Sequence, residues 1–75
     1  MSLPETIKQT RTKLFMSQED FAASIRVSVA TINRWENGRS KPNLTAMKSI
    51  KVFCEENNLP FDKIEEEWRS RSTED

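Results

Sequence analysis

A compact bundle of about five short α-helices is the fold this sequence predicts, and three observations lead there. Apolar residues recur at spacings of three and four, as in Ile32 and Trp35, or Met47, Ile50, Phe53 and Cys54. Serines that can cap a helix stand ahead of several such stretches, at Ser2, Ser17 and Ser28. With one Gly, three Pro, 35% hydrophobic and 32% charged residues, the chain lacks the β-branched alternation and turn glycines of a sheet. A chain of 75 residues is expected to form one domain, and a domain of this size buries only about 60% of its unfolded surface, so modest stability is expected.

The first helix is expected over about Leu3 to Lys13. Ser2 stands three residues before Glu5, the spacing of a capping box, and Pro4 falls in the first turn, where its missing N–H does no harm. Leu3, Ile7, Thr10 and Leu14 make its narrow core stripe. The second helix, about Gln18 to Ile25, starts on Ser17, carries Glu19 and Asp20 where the helix dipole favours acids, and buries Phe21, Ala22 and Ile25. A break of two or three residues at Arg26 and Val27 leads to Ser28 and a third helix over about Val29 to Glu36, closed by Gly38. Two short helices joined this tightly must cross steeply, which is a helix-turn-helix arrangement.

A fourth helix is expected to start near Asn43 or Leu44, after Pro42, with Leu44, Met47, Ile50, Phe53 and Cys54 facing the core. "NNLP" interrupts it. Phe61, Ile64 and Trp68 then mark a shorter, acidic fifth helix over about 60 to 70, with 71 to 75 expected to fray. No internal repeat or second domain is expected; the core should cover about 3 to 57.

Several functions are excluded by residue type. There is no His, so imidazole catalysis and histidine metal ligation are out, and one Cys with one Gly provides neither a thiolate cluster nor a phosphate-cradling loop. Glu65, Glu66 and Glu67 are adjacent on a helix, point in different directions, and read as a solvated face rather than an acid–base pair. No enzyme activity, metal or cofactor is therefore expected. Cys54 has no internal disulfide partner and reads as a small core hydrophobe. "MSLPETIK" lacks the apolar stretch of a signal peptide, and the longest apolar runs are triplets such as Leu14 to Met16. A cytoplasmic protein with no membrane segment is the expectation.

The net charge of zero conceals an asymmetry. Residues 1 to 54 carry nine basic and four acidic side chains, a net of +5, while residues 55 to 75 carry three and eight, a net of −5. A basic body with an acidic tail suits a polyanion partner for one part of the chain only. The stretch "SVATINRWENG" adds to this. Ile32 and Trp35 form its apolar side, whereas Val29, Ala30, Asn33, Arg34 and Asn37 lie opposite, nearly bare in the first turn and with an amide and a guanidinium in the second.

"SQEDFAASIRVSVATINRWENGRSKPNLTAMKSI" resembles the Cro/C1-type, or lambda-repressor-like, helix-turn-helix family of DNA-binding regulators. Ser17 and Gln18 opening the second helix, Ala22 at its close crossing, Ile25 and Ile32 in the core, and "WENGRSKP" closing the third helix carry the likeness. One residue departs from it: Arg26 occupies the tight turn between the second and third helices, where such proteins usually have Gly at φ > 0. A left-handed non-Gly residue there costs roughly 1 kcal/mol.

The resemblance implies sequence-specific binding of double-stranded DNA, with the third helix in the major groove, by a transcriptional repressor or regulator. Val29 and Ala30 would meet thymine methyl groups, Asn33 an adenine edge, and Arg34 a guanine or a phosphate. Gln18, Ser28, Asn37, Arg39, Lys41 and Asn43 would contact the phosphate backbone, with Arg11 a weaker candidate. Trp35 would be core, and Glu36 a structural acid paired to a nearby Arg. Phe61, Ile64 and Trp68 are candidates for either core closure or a homodimer contact, and Glu65 to Glu67, Glu74 and Asp75 should face away from DNA. Two rival readings remain: a protein-interaction module such as an antitoxin or adaptor, whose partner is a protein, and a DNA-targeting domain associated with a DNA-modifying enzyme.

Overall fold

The computed structural model describes residues 2–72, and among them five helices and no strand form: α1 (Leu3–Lys13), α2 (Gln18–Ile25), α3 (Val29–Glu36), α4 (Leu44–Glu56) and α5 (Asp62–Ser72). The all-α class is therefore the one the sequence predicts, and α1, α2 and α3 span the expected residues. α5 continues two residues past the expected 70, and residues 73–75, part of the stretch expected to fray, lie outside the described residues.

The helix starts follow from local chemistry. Ser2 donates both its N–H (3.3 Å) and its hydroxyl (3.0 Å) to the Glu5 carboxylate. These two bonds, the backbone one foremost, hold the Glu5 carboxyl below the ordinary carboxylate range. Ser17 Oγ accepts from the Asp20 N–H at 3.0 Å, Ser28 Oγ from Thr31 at 3.1 Å, and Asn43 Oδ1 from Ala46 at 2.9 Å. Each bond satisfies a backbone donor that has no partner within its helix.

The ends of α1 to α4 share one device. A residue at positive φ follows each helix (Phe15 at 57°, Arg26 at 62°, Gly38 at 73° and Asn58 at 57°), and the next N–H reaches back five residues. The bonds are Met16 to Arg11 (3.3 Å), Val27 to Ala22 (3.0 Å), Arg39 to Arg34 (2.9 Å) and Leu59 to Cys54 (2.8 Å). This Schellman-type closure wants glycine at the left-handed position, yet three of the four residues carry a side chain. Arg26→Gly is therefore expected to raise stability by a few tenths to about 1 kcal/mol, and so to raise Tm by up to about 4–8 °C in a thermal melt. A lower Tm would reveal a stabilising contact of the Arg26 side chain. Phe15→Gly should act in the same direction, since the Phe15 side chain is 95% exposed and gives up no packing.

The core gathers one face from every helix: Leu3 and Ile7 of α1, Phe21, Ala22 and Ile25 of α2, Ile32 and Trp35 of α3, Met47, Ile50, Phe53 and Cys54 of α4, and Ile64 of α5. The Phe21 and Phe53 rings meet edge to face with centroids 5.1 Å apart. Burial pushes the Cys54 thiol up to about 11, so it stays protonated near neutral pH and serves as an apolar filler. The resulting radius of gyration, 11.2 Å, is the value of about 11 Å that a compact chain of this length should have.

Two expected placements are corrected here. Leu44 is 67% exposed and not part of the α4 core stripe. It is the first residue of α4, one turn before Met47, where periodicity points toward the core but the core does not extend; Ala46 is buried there instead. Glu67 is not part of a solvated face: it accepts a hydrogen bond from the Thr6 hydroxyl of α1 across 61 residues of sequence.

Candidate nucleic-acid interface

α3 divides into two sides that follow directly from its sequence. Ile32 and Trp35 are buried, which leaves Val29 (43% exposed), Ala30, Asn33, Arg34 and Asn37 on the outer surface. The four expected base-reading residues, Val29, Ala30, Asn33 and Arg34, thus share one exposed helix face. Small side chains at the leading end let a helix approach the floor of a groove about 12 Å wide, and an amide and a guanidinium behind them supply planar hydrogen-bonding groups.

Asn33 does not stand alone on that face. The Asn37 side-chain amide donates to the backbone carbonyl of Asn33 at 2.8 Å and to its side-chain Oδ1 at 3.1 Å. A backbone carbonyl only accepts, so the Asn37 atom beside it must be Nδ2. The second proton of that Nδ2 then holds Asn33 Oδ1, which leaves the Asn33 NH₂ group as the donor turned away from the pair. Asn37, expected to contact phosphate, thus also steadies the amide of a neighbouring base-reading candidate.

Behind this face, α1, α2 and α3 are joined at one carboxylate. Arg11 grips Glu36 with Nε to Oε2 at 2.8 Å and Nη2 to Oε1 at 3.0 Å, and donates from Nη1 to the Met16 carbonyl at 2.8 Å. Gln18 donates from Nε2 to the same Glu36 Oε1 at 3.0 Å. The Arg11 and Glu36 side chains are only 12% and 4% exposed. Hydrogen bonding to Glu36 raises the Arg11 pKa further above its ordinary value. The expectation of Glu36 as a structural acid paired to an Arg matches this geometry. Arg11 as a phosphate contact does not: its guanidinium is committed inside the domain, because a bidentate carboxylate and a carbonyl already engage its donors. Gln18 keeps its backbone N–H at the first position of α2, although its side-chain amide is shared with Glu36.

The remaining phosphate candidates fall into two groups. Ser28 and Asn43 are exposed, and each uses its side-chain oxygen to cap a helix, α3 and α4 respectively. Arg39 and Lys41 lie in the loop between those helices. Arg39 is exposed, and the Lys41 ammonium sits 5.0 Å from the centroid of the Trp68 ring. That loop is tied to α5 by the Trp68 indole N–H, which donates to the Pro42 carbonyl at 2.6 Å. Sequence patterns do not reveal this tie, since nothing in residue type pairs a tryptophan with a carbonyl 26 positions away.

The candidate dimer residues are split by burial. Ile64 is 1% exposed and belongs to the core, so it cannot meet a second copy. Phe61 and Trp68 are half-buried and, with Leu44 and Met47, line a shallow groove between α4 and α5 whose rim holds Lys48, Lys51, Glu65 and Arg69. On the outer side of α5, Glu65 pairs with Arg69 at 2.8 Å and Glu66 with Lys63 at 3.7 Å. Glu74 and Asp75, expected to face away from DNA, lie outside the described residues.

Among the described residues no group of His, Cys, Asp or Glu side chains is placed to hold a metal ion, and no helix is long and apolar enough to cross a membrane.

Two known proteins share this stretch of sequence. The chain is 36% identical over 53 residues to the HTH-type transcriptional activator BcrR of Enterococcus faecalis, covering 71% of this chain and 26% of that protein. It is 36% identical over 55 residues to the type II methyltransferase M.SsoII of Shigella sonnei, covering 69% of this chain and 14% of that enzyme. The matched region is thus a small part of each relative. No solved structure matches the chain significantly. The model of the helix-turn-helix family matches residues 7–51, from the middle of α1 through the core of α4, and so takes in α2, α3 and the turn that joins them. The chain belongs to the Cro/C1-type helix-turn-helix family.

Proposed function

We propose that this domain binds double-stranded DNA sequence-specifically, with α3 lying in the major groove, and that it regulates transcription by occupying its site. The observation that carries this reading is the outer face of α3, where Val29, Ala30, Asn33 and Arg34 stand exposed on a helix whose other side is locked into the core. Val29 and Ala30 meet thymine methyl groups. Asn33 and Arg34 address base edges, and Arg39, Lys41, the Gln18 N–H, Ser28, Asn37 and Asn43 set the register on the phosphates. The relative named as a transcriptional activator supports the regulatory role. Repression follows where the site overlaps the path of the polymerase. A homodimer joined through Phe61 and Trp68 would read two half-sites about 34–36 Å apart.

A second reading is that the domain directs a larger assembly to DNA, because the similar segment of the methyltransferase M.SsoII is only 14% of that enzyme. Both readings require duplex DNA and differ in what it brings there.

Selection from a random pool of duplex DNA tests the proposal. One enriched motif is expected, palindromic if the protein dimerises. Its binding constant should fall with salt at a log–log slope of about −0.9 per phosphate contacted. No enrichment at low salt would overturn DNA binding in favour of a protein-interaction module.

A further inference from the structure

We infer that Trp68 is a positioning residue for DNA binding: it holds the loop between α3 and α4 in place and orients the Lys41 ammonium toward the phosphate backbone. This rests on the DNA-binding reading above and extends it to α5, which otherwise only closes the core.

The loop is fastened at three points. The Arg39 N–H bonds the Arg34 carbonyl at the end of α3 (2.9 Å), the Pro42 carbonyl accepts the Trp68 indole N–H (2.6 Å), and Asn43 caps α4 (2.9 Å). The first and last of these belong to the helices themselves. The middle one comes from a different element, and it falls at Pro42, whose side chain is fully buried. Lys41 lies between the fastened points, and its ammonium lies over the ring of the same tryptophan at 5.0 Å. A cation over an indole face is attracted by the ring quadrupole while its outer hydrogens remain available, so the ring directs the stem without consuming the charge.

α5 can serve as this anchor because it is itself held. Ile64 is buried in the core, and the Glu67 carboxylate accepts from Thr6 of α1. The Arg69 guanidinium, 5.9 Å from the Trp68 ring, is drawn toward Glu65 at 2.8 Å. One residue of α5 thus sets the placement of a phosphate-contacting loop that follows α3.

The test uses the 75-residue chain with Trp68→Phe, Trp68→Leu, Lys41→Gln and the Trp68→Leu/Lys41→Gln double variant. Affinity for the duplex that the unaltered chain selects is measured across salt concentrations, beside amide hydrogen exchange of the free protein. Trp68→Leu and Lys41→Gln should each make the salt slope shallower by about 0.9 and weaken binding about five- to tenfold near 0.1 M salt, with base preference unchanged. The double variant should be no weaker than either alone, since one phosphate contact is lost in each case. Trp68→Phe keeps a ring but not the N–H, and should speed exchange of the Arg39, Ser40 and Lys41 amides several-fold while the α3 amides stay protected.

Additive losses in the double variant, or a native salt slope in a folded Trp68→Leu, would overturn the inference and leave the DNA-binding reading intact. Should Trp68→Leu fail to fold, native loop exchange in Trp68→Phe overturns it. If the unaltered chain selects no duplex, the DNA-binding reading falls and this inference with it.

Discussion

Arg11→Ala is expected to destabilise the domain by about 3–5 kcal/mol, the cost of breaking a buried ion pair from one side. The Glu36 carboxylate, with its side chain only 4% exposed, would keep the Gln18 amide as a partner and lose the guanidinium that neutralises it. The Met16 carbonyl would lose its donor as well. Small domains have total stabilities of only about 5–15 kcal/mol, so a large share is at stake. A urea titration and a thermal melt read the result, and Tm should fall by more than about 10 °C. Arg11→Lys should recover little, because one ammonium cannot span both carboxylate oxygens and the Met16 carbonyl. Replacing Arg11 and Glu36 together by methionine should restore most of the stability, since no buried charge is then left without its partner. A loss below about 1 kcal/mol for Arg11→Ala would place the pair among ordinary surface ion pairs.

The second large effect is on binding. Asn33→Ala and Arg34→Ala should each weaken specific binding by about 1–3 kcal/mol and relax the preference at one base pair. Both residues are exposed, so helicity and Tm should stay near those of the unaltered chain. The two losses need not add. The Asn37 amide bonds Asn33, and removing the Asn33 side chain frees Asn37 to adopt a new partner, which couples neighbouring contacts. Selection from a random duplex pool with each variant, beside affinity for the native site, gives both readouts. Unchanged affinity and unchanged motif in both variants would remove α3 from the recognition role.

How far the sequence makes these features legible depends on the distance over which they are determined. The boundaries of α1, α2 and α3 are set within three or four residues, by Ser2 with Glu5, Ser17 with Asp20 and Ser28 with Thr31, and so they can be read directly. The exposed face of α3 is legible for the same reason, being the complement of Ile32 and Trp35. Leu44 shows where this reasoning ends: spacing says which residues share a side of a helix, not whether another element stands opposite its first turn. The left-handed residues Phe15 and Asn58 carry no flag, because neither type announces a positive φ as glycine does. Arg11 reads as a surface cation until Glu36, 25 residues away, is seen beside it. Ile64 and Trp68 look alike as apolar residues of one stripe, and only tertiary packing sends the first into the core and the second to the Pro42 carbonyl.

The shared closure of the first four helices bears on the order in which the molecule assembles. Each closing bond spans five residues, whereas the bond from Thr6 to Glu67 spans 61. Helix ends of this kind can form before any tertiary contact, since short loops cost little entropy to close, and chains dominated by local contacts fold in microseconds to milliseconds. The docking of α5 on α1 must wait until nearly the whole chain is present. During synthesis, which proceeds from the N-terminus, α1 to α4 can settle first, and the tie from Trp68 to Pro42 is among the last contacts to be made.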